Sequence, residues 1–86
     1  MAFENPPAGS VTLFTTTWCG YCRRLKQQLD RAGVQFSEVD VEGDAAAAAF
    51  VRTANNGNET VPTVLFPDGS VVTNPTAAQV DSRLGR

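Results

Sequence analysis

Two cysteines separated by two residues are the groups of this chain best suited to chemistry. Cys19 and Cys22 lie in the stretch Thr-Trp-Cys-Gly-Tyr-Cys at 17–22, where a short β pattern changes into a helical one. A thiol at a helix N-terminus faces unpaired backbone N–H groups, which stabilise the thiolate that attacks disulfides. The second thiol is close enough along the helix to attack a disulfide that the first has formed. The pair therefore indicates a redox site for thiol–disulfide exchange.

The two thiols should differ in role because they differ in position. Cys19 lies closest to the partial positive charge at the helix N-terminus, which stabilises its thiolate, so we expect it to be the nucleophile. Cys22 lies one turn inward on the apolar stripe of the helix, so we expect a less accessible, resolving thiol. Gly20 lets the backbone approach the sulfur closely, and Tyr21 offers a flat, partly apolar face. Trp18 either covers the flank of the thiolate or fills the core.

A metal site is the main alternative for the cysteine pair. A zinc ion usually takes four nitrogen or sulfur ligands, and the chain has two cysteines and no histidine. A zinc or iron–sulfur module would therefore need a dimer or an external thiol, and we expect no metal. A purely structural disulfide is a second alternative, but across so short a loop it would contribute little stability.

Length and charge narrow the class of protein. A chain of 86 residues can form one small domain, 1–86, with a loose lead-in at 1–9. The net charge of −2 argues against a nucleic-acid partner, although Arg23, Arg24 and Lys26 concentrate positive charge just after the cysteines. The chain has no apolar signal region and no membrane span, so we expect a cytoplasmic monomer. In that compartment a cysteine pair is more often catalytic or metal-binding than structural.

Hydrophobic periodicity and turn residues predict the order β-α-β-α-β-β-α. The predicted elements are a strand at 11–14, a helix from Gly20 that ends at Gly33, a strand at 34–41, a helix at 45–54 begun by Asp44, strands at 63–66 and 70–72, and a last helix begun by Asn74 and Pro75 and ending near Leu84. The first two β-α steps favour parallel crossovers, and the hairpin adds antiparallel strands. The predicted class is α/β.

A proline ahead of the third strand is the second candidate site feature. Pro62 follows Val61 in the stretch Thr-Val-Pro-Thr at 60–63, a position that suits the first residue of a strand. A cis bond here would direct the Val61 backbone toward the cysteine loop, where it can pair with an extended cysteinyl substrate. Only about one X–Pro bond in twenty is cis, so the sequence statistics alone favour trans.

The chain resembles the glutaredoxin-type members of the thioredoxin superfamily. Three features carry the resemblance: Trp-Cys-Gly-Tyr-Cys at 18–22 after the first strand, Thr-Val-Pro at 60–62 before the third, and the element order over nearly the whole chain. The resemblance implies a four-stranded mixed sheet with three helices. It also implies that Cys19 attacks, that Cys22 resolves, that Pro62 is a cis-proline, and that the Val61 backbone contacts a low-molecular-weight thiol.

Two departures from glutathione-using glutaredoxins refine the resemblance. Those proteins usually carry a Gly-Gly pair and an acidic residue ahead of the last helix, where this chain has Val-Thr-Asn-Pro-Thr at 72–76. They also often carry a lysine upstream of the first cysteine, where this chain has threonines at 15–17. The chain is more similar to the mycoredoxins of actinobacteria, through residues 16–22, 39–42, 51–58, 60–64, 68–70 and 73–75.

Similarity to mycoredoxins implies that mycothiol, a cysteinyl pseudodisaccharide, is the reducing co-substrate and that no cofactor is bound. The neutral side chains of Thr73, Asn74 and Thr76 suit sugar hydroxyls, although Asn74 is equally suited to capping the last helix. The predicted activity is removal of mycothiol from mixed disulfides on proteins or small molecules, with an NADPH-dependent mycothiol disulfide reductase acting indirectly. The alternatives are a glutathione-dependent glutaredoxin, a thioredoxin-reductase-fed redoxin that supplies ribonucleotide reductase, and a metal or iron–sulfur binding module.

Overall fold

The computed structural model describes residues 3–85, and within them four strands and three helices follow the predicted order. In chain order they are β1 (Ser10–Thr15), α1 (Gly20–Ala32), β2 (Gln35–Asp40), α2 (Ala45–Ala54), β3 (Thr63–Leu65), β4 (Val71–Thr73) and α3 (Ala77–Arg83). The predicted α/β class is confirmed. The strand ends differ from prediction by at most one residue, as expected for boundaries set by hydrogen bonding rather than by hydrophobic pattern.

The strands form one mixed sheet in the order β2-β1-β3-β4. β1 pairs in parallel with β2 and antiparallel with β3, and β3 pairs antiparallel with β4. A parallel pair needs a long crossover, which α1 supplies, whereas β3 and β4 need only a short turn. β1 is therefore an inner strand with a partner on each side, and the cysteine loop emerges directly from its carboxyl end.

Two apolar clusters cover the two faces of the sheet. The cluster beside α1 and α3 contains Val11, Leu13, Leu25, Leu29, Val34, Val64, Phe66 and Val80. The cluster beside α2 contains Phe14, Val41, Ala47, Val51 and Leu65. Neighbouring strand residues divide between the clusters because successive side chains point to opposite faces. Burying a Val, Leu or Phe side chain contributes about 1.5–3 kcal/mol each, so this packing fixes α1, and with it the cysteines, against the sheet.

The predicted ends of α1 and the predicted start of α2 are confirmed. Gly33 ends α1 in the left-handed conformation, at φ 74°, and its N–H donates to the carbonyl oxygen of Asp30 at 3.1 Å. Asp44 begins α2, and its side chain accepts the N–H of Ala47 at 3.1 Å. Each signal acts within one turn of chain, so each follows from local sequence.

The predicted start of α3 is wrong: Thr76 caps this helix, not Asn74. The Thr76 hydroxyl accepts the Gln79 N–H at 3.0 Å, and the Gln79 side chain accepts the Thr76 N–H at 2.8 Å. This reciprocal capping box satisfies two donors at once. Asn74 instead adopts a positive φ of 50° and donates its N–H to the Pro62 carbonyl oxygen at 2.7 Å. Pro75 consequently lies before the helix and is not its first residue.

The lead-in to β1 forms no helix or strand at 3–9, yet its first described residue is anchored. Phe3 is half-buried and meets Phe14 and Phe50 edge-on, with ring centroids 5.1 and 5.5 Å away. Phe14 and Phe50 also contact each other at 4.9 Å. The segment is therefore held on the α2 face of the sheet, which the expectation of a loose lead-in did not foresee. The rest of that expectation, at residues 1 and 2, lies outside the described residues. Among residues 3–85, none of the helices combines the length and apolar character that crossing a bilayer requires.

Candidate active site

The two cysteines occupy the first turn of α1. The structure joins them as a disulfide, with their Cα atoms 5.2 Å apart. Cys19 is the residue that begins the helix, and its sulfur accepts the backbone N–H of Cys22 at 3.1 Å. An N–H donor and the positive end of a helix dipole both favour negative charge on this sulfur. The arrangement can therefore support both a thiolate and its closure to a disulfide.

The cysteines differ in their surroundings in the predicted sense. Cys22 belongs to the buried face of α1 together with Leu25 and Leu29, and 1% of its surface is exposed. Cys19 lies at the edge of the site with 6% exposed. Cys19 is thus the slightly more accessible of two buried sulfurs, and their attacking and resolving roles stay predictions.

The Thr-Val-Pro segment lies against the cysteine loop. The Val61–Pro62 peptide bond is cis, as the resemblance implied. The Val61 carbonyl oxygen lies 4.0 Å from the Cys19 sulfur, with Val61 half-buried and Pro62 buried. A backbone this close to the reactive sulfur can bind the cysteinyl part of a substrate while its disulfide is attacked.

The two aromatic side chains beside the cysteines face solvent. Trp18 is 68% exposed and Tyr21 66% exposed, so the alternative that Trp18 fills the core is wrong. The Trp18 indole N–H donates to a carboxylate oxygen of Glu42 at 2.8 Å, which holds the ring beside the site. A Cβ built on Gly20 would meet no atom within 4 Å, so the folded chain itself has room for a side chain there.

Two cavities lie beside the cysteine loop, with volumes of about 280 and 440 Å³. The smaller one opens between α1 and the segment that precedes α3. Its lining residues are Tyr21, Arg24, Leu25, Gln28, Asn74, Pro75 and Thr76. Tyr21 connects it to the cysteine loop. Asn74 and Thr76, two of the three predicted sugar contacts, therefore line one cavity together.

The larger cavity lies on the β2 side of Cys19. Here the Thr15 hydroxyl donates to Glu38 at 2.6 Å and the Lys26 ammonium contacts the same carboxylate oxygen at 2.9 Å. The Thr15 hydrogen bond lowers the pKa of Glu38 most, burial opposes it, and the hydrogen bond and charge of Lys26 lower it further, so this pKa lies below its usual range. Lys26 is consequently paired, and less of the predicted positive charge is left to act on the thiolate than the sequence suggested.

Asn55, which sequence reasoning missed, joins three elements behind the Thr-Val-Pro segment. Its amide donates to the Val51 carbonyl oxygen at 2.8 Å and to the Thr63 hydroxyl at 3.2 Å, and its oxygen accepts the Thr73 hydroxyl. The Thr63 hydroxyl in turn donates to the Thr60 carbonyl oxygen at 2.7 Å. The Thr73 hydroxyl therefore donates its proton within the protein, and its contact with a sugar stays a prediction. An asparagine just after a helix is the only local signal of this arrangement.

Among residues 3–85, no group of three or more His, Cys, Asp and Glu side chains is placed to hold a metal ion. The two sulfurs lie at a helix N-terminus, beside the half-buried backbone of Val61, and this placement suits exchange between disulfides.

Known proteins resemble this chain over most of its length. A family model described as Glutaredoxin matches residues 11–72. A protein of Mycobacterium tuberculosis, provisionally described as a glutaredoxin, is 52% identical over 75 residues, which cover 87% of this chain and 89% of that protein. Mycoredoxin 1 of Corynebacterium glutamicum is 43% identical over 75 residues, which cover 87% of this chain and 92% of that one.

A solved structure supports the fold independently. The glutaredoxin from Methanosarcina mazei Go1 superposes with a TM-score of 0.76, covering 100% of this chain and 85% of its own. Its sequence is 22% identical, so the likeness concerns the fold alone.

Proposed function

The chain belongs to the glutaredoxin family of thiol–disulfide oxidoreductases, and from that premise we propose that its substrates are mycothiol mixed disulfides. The mycothiol dependence is supported by the 43% identity to Mycoredoxin 1 and by the character of the smaller cavity. We place the activity in the cytoplasm and assign it to the monomer. Mycothiol serves as the reducing co-substrate, with no bound cofactor.

In the proposed reaction the Cys19 thiolate attacks the mycothiol sulfur of a mixed disulfide. A Cys19–mycothiol disulfide forms, the original disulfide breaks, and the substrate thiolate leaves and takes up a proton. A second mycothiol thiolate then attacks the mycothiol sulfur, which releases oxidised mycothiol and restores the Cys19 thiolate. An NADPH-dependent mycothiol disulfide reductase returns the oxidised mycothiol to two thiols.

Cys22 offers a second way to resolve the same intermediate. Its thiolate can attack the Cys19 sulfur, which forms the Cys19–Cys22 disulfide and releases mycothiol. The 5.2 Å between the two Cα atoms is compatible with this closure. This route is a branch and not a requirement, so Cys22 is dispensable when free mycothiol is abundant.

The polarity of the cavity beside Tyr21 is the observation that carries the choice of mycothiol. Asn74, Thr76 and Gln28 line it with neutral amide and hydroxyl groups, and Arg24 is the one charged residue among those that line it. Amide and hydroxyl groups both donate and accept hydrogen bonds, as sugar hydroxyls do. A γ-glutamyl end carries an ammonium and a carboxylate, and the ammonium finds no acidic partner among these residues.

The test is turnover of one peptide mixed disulfide, prepared with mycothiol or with glutathione, each coupled through its own reductase to NADPH oxidation. We expect a strong preference for the mycothiol form, retained by Cys22→Ser and abolished by Cys19→Ser. A preference for glutathione would contradict the assignment of mycothiol. Loss of activity in Cys22→Ser as well would contradict the one-cysteine route and favour a redoxin that works through its disulfide.

A further inference from the structure

The amide of Asn55 connects the two segments that frame the proposed thiol site. Thr63 and Thr73 are paired directly across β3 and β4, and the Asn55 side chain bonds to both hydroxyls. Its remaining donor holds the Val51 carbonyl oxygen at the end of α2. Three elements that are distant in sequence therefore meet at one side chain.

Two of the three partners of Asn55, Thr63 and Thr73, each adjoin a residue of the site. Thr63 follows Pro62 and holds the Thr60 carbonyl oxygen at 2.7 Å, so its hydroxyl braces the turn that presents Val61. Thr73 precedes Asn74, whose N–H donates to the Pro62 carbonyl oxygen at 2.7 Å. The Val61 carbonyl near Cys19 and Asn74 at the edge of the cavity are thus connected through this hydrogen-bond network.

We propose that Asn55 is a positioning residue that sets the distance between the Val61 backbone and Asn74, and thereby the affinity for the low-molecular-weight thiol. The proposal rests on the proposed function for the identity of that thiol. Asn55 lies outside the reacting atoms and acts through Thr63 and Thr73. Its hydrogen bonds hold the Val61 backbone and Asn74 in fixed relative positions, which a binding site built on short strands requires.

The chemistry of the network explains why an amide is suited to this position. An asparagine side chain offers two donors and an acceptor, and here the donors meet a carbonyl and a hydroxyl while the acceptor meets the second hydroxyl. Aspartate would keep the acceptor and lose both donors. Thr63 is fully buried, so without Asn55 its hydroxyl keeps only the bond to the Thr60 carbonyl oxygen, and water does not replace the lost donor.

The experiment compares steady-state kinetics of the full chain with Thr73→Val and Asn55→Ala. Thr73→Val is the milder change because it keeps a β-branched side chain in β4 and removes only the hydroxyl link. Thr73→Ser restores the hydroxyl. Thr53→Val is the matched control, since it removes a hydroxyl bond of 3.0 Å to Ala49 within α2, away from the site.

We expect Thr73→Val and Asn55→Ala to raise KM for the mycothiolated peptide by about tenfold, with kcat within about twofold of the native value. A displacement of ~1 Å in a positioning element can cost about a hundredfold, so a tenfold change is a modest expectation. The rate at which iodoacetamide alkylates reduced Cys19 should stay unchanged, because the sulfur and its N–H donor are untouched. Thr73→Ser and Thr53→Val should behave as the native protein does.

A native KM in both Thr73→Val and Asn55→Ala would overturn the proposal. So would a parallel fall in kcat, affinity and alkylation rate that follows the loss of thermal stability, since that pattern belongs to a merely structural residue. A KM effect in Thr53→Val of the same size would also overturn it.

Failure of the mycothiol assignment can be told apart from failure of this inference. If the native chain prefers glutathione, the same KM comparison is made with the glutathionylated peptide, and the expected ratios are the same. If the chain turns over neither, hydrogen exchange decides. The Asn74 N–H should exchange at least about tenfold faster in Thr73→Val, while the Ala48 N–H, bonded to the Asp44 carbonyl oxygen at 3.0 Å, stays unchanged. Equal protection of the Asn74 N–H in both proteins would refute the proposal.

Discussion

Replacing Glu38 by glutamine should destabilise the fold at neutral pH and have almost no effect in acid. The Glu38 carboxylate joins β1 to α1 below the cysteine loop, because it accepts the Thr15 hydroxyl at 2.6 Å and contacts Lys26 at 2.9 Å. Glutamine has nearly the same shape and keeps an oxygen acceptor for Thr15. The substitution therefore removes the charge and leaves the packing in place.

The size of the effect follows from exposure. The Glu38 side chain is 36% exposed and that of Lys26 31%, so water screens their attraction and the ion pair contributes about 0.2–1 kcal/mol. A hydrogen bond to a charged group contributes about 1.5–3 kcal/mol, against about 1 kcal/mol for a neutral one. After discounting for screening, we expect a loss of about 1 kcal/mol. In a domain of 60–100 residues this lowers Tm by about 4–8 °C.

The dependence on pH follows from the direction of the shift. The Thr15 hydrogen bond, and then Lys26, lower the pKa of Glu38, so the folded chain binds this proton less readily than the unfolded chain does. The stabilisation is complete above the unfolded-state pKa of about 4.3 and is lost as the pH falls through the lower pKa of the folded state. The gap in Tm between native chain and Glu38→Gln should therefore close in strong acid.

Thermal unfolding followed by circular dichroism at neutral pH and in strong acid measures this gap. Glu4→Gln is the control, since it removes an equal charge from an exposed position. Thr15→Val should reduce the gap produced by Glu38→Gln, because the two residues share one interaction. An equal Tm for native chain and Glu38→Gln at neutral pH, or a gap of equal size in acid, would refute the electrostatic reasoning.

Two further substitutions test features that the fold revealed. Phe3→Ala should lower the free energy of unfolding by about 2 kcal/mol. The substitution removes two edge-on ring contacts, worth about 0.5–1.5 kcal/mol each, together with half-buried apolar area. An unchanged urea midpoint would show that Phe3 is not anchored on Phe14 and Phe50. Thr76→Ala should lower the free energy of unfolding by about 1 kcal/mol, because it removes the capping box with Gln79. Thr76→Ser keeps the hydroxyl and serves as the control. Equal urea midpoints for the two variants would contradict the capping role of Thr76.

The parts of the fold that were predictable from sequence are those specified by neighbours along the chain. The periodicity of helix α1 predicts an apolar stripe of Cys22, Leu25, Leu29 and Ala32, and the first three are buried. Ala32, in the last turn, is exposed, so the prediction is wrong there, whereas the helix end at Gly33 is confirmed. The cap by Asp44 follows from the same local logic. The redox pair could be recognised because both thiols lie within the first turn of one helix. Their reactivity therefore depends on residues that are close together in the sequence.

The features that escaped prediction depend on contacts between distant segments. Asn74 precedes a proline and resembles a helix cap in the sequence. In the fold its N–H donates to the Pro62 carbonyl oxygen, and Thr76 caps the helix instead. The link between Thr15 and Glu38 requires the register of β1 against β2, which no local pattern states. Trp18 was ambiguous for the same reason, since only the folded chain brings a carboxylate to its indole.

The order of the strands has a consequence for how activity is acquired during folding. The parallel pair β1–β2 joins residues such as Ser10 and Gln35, whereas the pair β1–β3 joins Thr12 and Leu65. Contacts between distant parts of a chain cost more loop-closure entropy and form more slowly than nearby ones. Cys19 belongs to the first half and the backbone that faces it to the second, so the site exists only once the halves have docked. We expect regain of turnover to trail regain of helical signal on refolding, which makes catalysis a reporter of docking.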